Sequence, residues 1–333
     1  MPPSDIPSST LLEVCGLTKH FPVGLWNRSR SVHAVEDASF KIGRGQVLAL
    51  VGESGSGKTT TIRMIARLIP VSGGKILFEG TDILKAEPRR ASLRYRNRVQ
   101  LIFQDPFASL NPVHTIEHQL SRPLRIHGKA RTAEEVHERV YQLLESVDLN
   151  PAVEIASRYP HQLSGGQRQR VSIARALAVE PRLILADEPI SMLDVSIRMG
   201  VLNLISRLKA ERGISFIYIT HDLASARYIS DQIIVMYAGH IVEGGQAEEI
   251  IQEAVHPYTR LLLSAVPDPR AGLSMHKKME ARGEVPSLVD PPPGCPFTAR
   301  CPSVKDACSM VMPDITYCSP THWVRCHLFG PVG

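Results

Sequence analysis

The sequence predicts an α/β fold built on a mostly parallel sheet, with a phosphate site at the end of one strand. Three observations lead there. Val47-Leu-Ala-Leu-Val51, Leu183-Ile-Leu-Ala186 and Ile214-Ser-Phe-Ile-Tyr-Ile219 are short, mostly apolar runs followed by polar turns. Strands buried on both faces of a parallel sheet look like this. Helical patterns alternate with such runs from Leu11 to Gly245. Finally, Gly52-Glu-Ser-Gly-Ser-Gly57-Lys58-Thr59 fits G-x-x-x-x-G-K-[ST] directly after the first run.

Composition bounds the remaining choices. The chain has 333 residues with 38 Lys+Arg and 33 Asp+Glu, a formal charge of +5. At about 150 residues per domain, this length suggests two domains, or one large domain with an extension. With 43% apolar and 21% charged residues, the chain can bury a full core, which excludes global disorder. Only 5% are aromatic, and the basic residues are scattered, which favours a solvated exterior over a nucleic-acid surface. No run approaches the eighteen apolar residues of a membrane span, and the Pro/Ser-rich segment Met1 to Thr10 has no signal-peptide pattern. A flexible N-terminus over residues 1–10 and a cytoplasmic location are expected.

Along the chain, Leu11–Leu17, Val32–Ile42 and Lys75–Glu79 alternate apolar and polar residues between turns, which predicts an antiparallel subdomain. Between about 105 and 180 the pattern turns helical. Thr132 with Glu135 forms a capping box, and Val136, Val140, Leu143, Leu144 and Val147 follow on one face. After Gln246 the character changes: 12 of the 25 prolines fall in residues 246–333. That predicts a loop-rich extension without long helices or central strands. The domains are thus read as 11–245 and 246–333.

The phosphate loop works as a helix N-terminus, where free N–H groups and the dipole meet anionic oxygens. Glycines allow close approach, Lys58 neutralises the β/γ-phosphates, and Thr59 ligates Mg²⁺. Leu183-Ile-Leu-Ala-Asp187-Glu188 is a buried strand ending in two carboxylates: Asp187 for the Mg²⁺ shell, Glu188 for the attacking water.

Leu163-Ser-Gly-Gly-Gln167, ahead of the helical run Arg168 to Val179, completes an ordered set. Here the chain resembles the nucleotide-binding subunits of ATP-binding-cassette (ABC) transporters, over Leu11 to about Gly245. The resemblance implies a P-loop NTPase with a RecA-like core, an antiparallel β subdomain and a helical subdomain. It implies an ATP site of Gly52, Ser54, Gly55, Ser56, Gly57, Lys58, Thr59 and Thr60, with Phe21 stacked on adenine. It makes Gln104, after Val99–Phe103, the Q-loop glutamine, with Mg²⁺ held by Thr59, Gln104 and Asp187. Glu188, His221 and Gln104 become the catalytic set, and Ser191-Met-Leu-Asp194 the D-loop. Ser164, Gly165, Gly166 and Gln167 would act in trans, because the family pairs two subunits head to tail around each ATP. Donors supplied in trans are worth about 10³–10⁵ in rate.

His256-Pro-Tyr-Thr-Arg-Leu-Leu-Leu-Ser-Ala-Val-Pro267 and the cysteines beyond it resemble the C-terminal extension of dipeptide/oligopeptide importer ATPases. Five of the six cysteines lie in this extension. By residue chemistry, Cys295, Cys301, Cys308 and Cys326 suit an iron–sulfur cluster or zinc; the resemblance favours a 4Fe–4S cluster, with zinc the alternative and Cys318 not a ligand. Cys15 reads as a core residue. The extension is expected to lie apart from the phosphate motifs, so loss of the cluster is expected to loosen residues 290–330 before it affects ATP binding.

The resemblance implies an ATPase subunit at the cytoplasmic face of the plasma membrane. Its partners would be a sister ABC ATPase subunit, two membrane permeases and an extracytoplasmic substrate-binding protein. Import of oligosaccharides or nickel by the same machinery is the alternative. A soluble ABC ATPase of translation or repair fits less well: only one signature is present, and Lys58 and Ser164 are 106 positions apart, too close for an inserted coiled coil.

Overall fold

The computed structural model describes residues 10–24, 30–265 and 283–329. The first nine residues of the expected N-terminal tail and the last two of the His256–Pro267 motif lie outside them. The chain divides into two compact units: residues up to 43, 47–88 and 218 onward in the first, 44–46 and 89–217 in the second.

Strands β1 (Thr10–Pro22), β2 (Ser31–Gly43), β3 (Val47–Val51), β4 (Gly73–Phe78) and β5 (Thr81–Asp82) belong to the first unit. Strands β6 (Val99–Ile102) and β7 (Leu183–Asp187) belong to the second, and β8 (Ser215–Thr220) runs from the second into the first. The first unit continues with β9 (Gln232–Tyr237), β10 (His240–Gln246), β11 (Ile315–Tyr317) and β12 (Trp323–Arg325).

In the first unit, an antiparallel sheet runs β2-β1-β4-β5, with Val14 opposite both Phe40 and Ile76. Leu11, Leu12, Val14 and Leu17 are buried from β1; the simple alternation breaks between Val14 and Leu17, where the pairing with β2 shifts register. Cys15 corrects the sequence reading: it is half-buried rather than core, and its thiol lies 3.6 Å from Glu13 Oε1. The unit's other strands run β11-β12-β10-β9-β3, with β3 and β9 parallel. No residue of β3 is more than 1% exposed. Burying each Val or Leu there contributes about 1.5–3 kcal/mol, and this fixes the strand that delivers the glycine loop.

Described residues of the proline-rich extension are bonded to the rest of the first unit at several points. Val324 of β12 pairs with Glu243 of β10. The His33 N–H donates to Leu288 O at 2.8 Å, and Arg325 Nη2 meets Asp37 Oδ2 at 2.8 Å.

In the second unit, β6 and β7 pair in parallel, Leu101 opposite Leu185. The helix Ala133–Ser146 starts at the expected capping box and buries Val136, Val140, Leu143 and Leu144; such a cap is worth about 1 kcal/mol. Asp148, just beyond it, accepts Arg170 Nη1 at 2.6 Å and Arg207 Nη2 at 2.9 Å. One carboxylate thereby ties the helices Gly165–Leu177 and Val195–Arg212 to the same turn. Among the described residues, no helix is long and apolar enough to cross a membrane.

Candidate functional site

The loop after β3 is shaped by steric necessity. Gly52 has φ +156°, and a Cβ there would sit 2.1 Å from Met236 O. Gly57 has φ +104°, and a Cβ there would meet Ala34 O at 2.4 Å. No other residue fits either position without moving backbone. Lys58 is buried, its Nζ donating to Gly52 O and Glu53 O, both at 2.7 Å, and to Ser56 Oγ at 3.2 Å. The helix Lys58–Ile65 starts at Gly57 without a side-chain cap. Thr59 and Thr60 lie half-buried in its first turn, while Ser54 and Gly55 are exposed at the loop's crest.

Two more expected residues share this unit. Phe21, near the end of β1, is 37% exposed, enough ring to stack against, and Lys19 Nζ lies 4.7 Å from its centroid. His221 is exposed, immediately after β8. Its neighbour Asp222 caps the helix Leu223–Ile229, accepting from the Ala224 N–H at 2.9 Å.

The second unit holds the acidic set. Asp187, the last residue of β7, is 4% exposed. Glu188 adopts φ +42°, in the left-handed region. For a residue other than glycine this strain costs about 1–3 kcal/mol and is typical of functional sites. Gln104 Nε2 donates to Glu188 Oε2 at 3.2 Å, bringing two predicted catalytic residues together.

The signature residues show local roles the sequence reading did not anticipate. Ser164 Oγ accepts the Gln167 N–H at 3.2 Å and Gln167 Oε1 accepts the Ser164 N–H at 3.0 Å, a second capping box. A Cβ on Gly166 would lie 2.6 Å from Ile197 Cγ2, so glycine lets this helix approach the helix Val195–Arg212. Gly165 opens the signature helix, and Asp194 is the exposed residue before the other.

The sequence reading missed Tyr258 and Arg300. Tyr258 Oη accepts the Glu53 N–H at 2.8 Å. Arg300 Nη1 and Nη2 hold the Glu53 carboxylate at 2.8 and 3.2 Å. The extension therefore does not lie apart from the phosphate loop: it grips the loop's second residue.

The structure also gathers the expected cysteines. Burial pushes the Cys295 thiol up to about 11, and the thiols of Cys308, Cys326 and Cys301 add to the rise. Cys326 is raised by burial and by Cys301 and Cys308. Cys318 is exposed, raised by partial burial and Glu243 rather than by another cysteine. Cys301 too is raised, by burial and by Cys308, so three of the thiols feel others of the set, an arrangement that suits a thiolate-held group. Zn–S bonds of about 2.3 Å set tetrahedral sulfurs about 3.8 Å apart. Among the described residues no three of these sulfurs lie within 4.8 Å of one another. The triad that does meet that limit is His20, His33 and Glu36. There both rings bond Glu36 Oε2, at 2.6 and 3.0 Å, and satisfy one another.

Comparison with known proteins fits this geometry. Residues 35–191 match the ABC transporter family model, and residues 242–308 match that of the oligopeptide/dipeptide transporter C-terminal region. The chain is 43% identical to the oligopeptide transport ATP-binding protein AppF of Bacillus subtilis, covering 96% of this chain and 98% of that one. It is 42% identical to the oligopeptide transport ATP-binding protein OppF of Salmonella typhimurium, covering 97% of each. Among solved structures it is similar to the dimeric ATP-binding cassette MJ0796 in a post-hydrolysis state with ADP and Pi. That match has a TM-score of 0.62 at 27% identity, over 71% of this chain and 99% of that one. A site shaped for nucleotide phosphates, and relatives matched nearly end to end, make the chain an ATPase: it belongs to the ABC transporter family, among the ATP-binding subunits of its oligopeptide/dipeptide branch.

Proposed function

We propose that this subunit powers import of di- and oligopeptides, working as a nucleotide-sandwich dimer with a sister ATPase subunit. Residues 11–245 act as the cassette and 246–333 as its extension. The observation that carries the nucleotide site is the preformed loop Gly52–Thr59, whose first and last glycines have no room for a side chain. The peptide assignment rests on what AppF and OppF are named for and on the match over residues 242–308.

In this reading Phe21 stacks on adenine. The loop residues Gly52, Ser54, Gly55, Ser56 and Gly57, with the helix start at Lys58, Thr59 and Thr60, cradle the phosphates. Lys58 leaves its loop carbonyls to neutralise the β/γ-phosphates. Thr59, Gln104 and Asp187 would hold Mg²⁺, which supplies charge neutralisation on the phosphate oxygens. Glu188 orients and polarises the attacking water, Gln104 holds its carboxylate, and His221 contacts the γ-phosphate side. Ser164, Gly165, Gly166 and Gln167 serve the partner's nucleotide, so the Ser164–Gln167 cap presents an ordered helix N-terminus to it. Asp194 lies where the two subunits would exchange contacts.

The subunit would sit peripherally on the cytoplasmic face of the membrane, bound to two permeases fed by an extracytoplasmic substrate-binding protein. Cys295, Cys301, Cys308 and Cys326 would hold a 4Fe–4S cluster, with zinc the alternative; the raised thiols of Cys295, Cys301 and Cys326, each perturbed by others of the four, support a shared thiolate site. The test is reconstitution with sister subunit, permeases and binding protein in vesicles. Peptide-dependent ATP hydrolysis with peptide uptake is expected, and stimulation by an oligosaccharide or nickel instead would replace the substrate.

A further inference from the structure

We propose that Arg300 is a positioning residue of the nucleotide loop, neutralising and fixing Glu53 so that ATP affinity depends on the cysteine-bearing segment 295–301. The inference rests on the reading of Gly52–Thr59 as the nucleotide loop.

Glu53 is held on two sides by residues beyond position 246. Its N–H donates to Tyr258 Oη and its carboxylate receives both arms of the Arg300 guanidinium. The Arg300 side chain is 7% exposed, against 30% for Glu53. A guanidinium so far removed from water is stable only when paired, and a planar fork on a carboxylate is its strongest pairing. Tyr237 Oη accepts from Arg300 Nη1 at 3.2 Å, and Phe297, 1% exposed, packs its ring against those of Tyr237 and Tyr258. The segment between Cys295 and Cys301 is therefore fastened to the loop by an apolar wedge and an ion pair.

Two consequences follow for nucleotide. First, Glu53 O accepts from Lys58 Nζ and from the Ser56 N–H at 3.3 Å, so fixing Glu53 fixes the acceptors that aim the lysine. Second, Glu53 places a negative charge in a loop that must receive a polyanion. Like charges at close range repel, and Arg300 cancels that repulsion. Arg300 directly precedes Cys301, and the Cys295 N–H donates to Cys308 O at 2.8 Å. Anything that orders these thiols orders the arginine. Linkage then requires the reverse: nucleotide must order segment 295–301.

The experiment titrates a fluorescent ATP analogue into the full chain, purified anaerobically, as wild type, Arg300→Gln, Arg300→Lys, Glu53→Gln/Arg300→Gln and Lys58→Ala. Arg300→Gln should weaken binding about tenfold, within the usual range of coupling between sites. Arg300→Lys should recover part of the loss, and the double variant should bind better than Arg300→Gln because the uncancelled acid is gone. Wild-type affinity in Arg300→Gln, or a double variant no better than it, overturns the proposal; a merely structural arginine would give the second result. A measurement needing no variant is hydrogen exchange on the wild type: ADP should slow exchange of the 295–301 amides, and unchanged exchange there overturns the coupling. Lys58→Ala separates the layers. If it loses nucleotide while Arg300→Gln does not, only this inference fails; if it binds normally, the loop reading fails first.

Discussion

Gln104 and Glu188, 84 positions apart in the chain, meet through a 3.2 Å hydrogen bond from the glutamine amide to the glutamate carboxylate. Glu188 is also held at φ +42°, immediately after the buried end of β7. A carboxylate constrained in backbone and side chain alike is pre-aimed. Glu188→Gln should therefore leave ATP binding intact and lower turnover by about 10²–10⁴-fold, the usual worth of a positioned general base. Phosphate release at saturating ATP, alongside a nucleotide titration, checks both halves. Unchanged turnover would remove Glu188 from the mechanism.

Gly57→Ala should be far worse than its one added methyl suggests. The backbone is at φ +104° and the Cβ would sit 2.4 Å from a main-chain oxygen. A strain of about 1–3 kcal/mol is expected, and because the neighbour is backbone the loop must yield. Nucleotide binding should be lost while the far-UV spectrum is retained. Gly55→Ala is the control: it has φ +79° but open space around its Cβ, so only the backbone strain applies.

Ser164 carries two separable contributions. Ser164→Ala removes the cap on the helix Gly165–Leu177, worth about 1 kcal/mol of stability. If Ser164 also serves the partner's nucleotide, turnover should fall by far more than that destabilisation explains. Specific activity of the wild type should rise with protein concentration or on adding the sister subunit, as mass action on an ATP-bridged dimer requires. A demonstrated monomer with concentration-independent activity would sink the trans role.

A pH dependence of stability follows from the buried carboxylate of Glu243, which is fully inaccessible and accepts His322 Nε2 at 2.8 Å and the Val255 N–H at 2.8 Å. Its hydrogen bond holds the His322 pKa above the ordinary 6.5. The stabilisation is fully present below about 6.5 and is lost as pH rises through the raised folded value. His256 acts in the opposite sense. Burial lowers it to about 4, so between 6.5 and 4 the unfolded chain takes up a proton that the folded one does not, and stability falls with pH. His322→Ala should destabilise by about 2–3 kcal/mol at pH 6, since Glu243 keeps its backbone donors, and by less at pH 9. Denaturant unfolding at both pH values reads the difference; an equal loss at both would mean the pair is not charged.

The strands and the phosphate loop were legible because each is a local pattern: β3 and β7 are short apolar runs, and the glycine spacing is contiguous. The Ser164–Gln167 cap was equally local, with the same spacing as Thr132 and Glu135, yet the stronger phosphate reading of those residues obscured it. The Arg300–Glu53 pair left no local signal, since its partners are 247 positions apart and an arginine beside a cysteine reads as solvated. The one available clue was the acid itself: a glutamate inside a loop built for polyanions needs a cation, and Lys58 is committed elsewhere. The idea of a remote extension failed for the same reason, because proline density describes the chain's stiffness and not where it docks.

The cysteines give the last expected outcome. Cys308 and Cys326 are buried, and Cys295, Cys301 and Cys326 are each raised by other thiols of the set, Cys308 among them, while Cys318 is exposed and perturbed by no other thiol. Burial among other thiols raises Cys295 to about 11, so as a free thiol it would stay protonated at neutral pH and be a poor nucleophile. Metal binding reverses that preference, because a thiolate is the ligand and coordination releases its proton. Anaerobic preparations should then carry iron and inorganic sulfide in equal amounts, lost in Cys308→Ser and retained in Cys318→Ser. Stoichiometric zinc without sulfide would install zinc instead. Loss in Cys318→Ser but not in Cys308→Ser would overturn the ligand set. Since Arg300 sits beside Cys301, Cys308→Ser should also weaken nucleotide binding, in the same direction as Arg300→Gln, because segment 295–301 carries the arginine that holds Glu53.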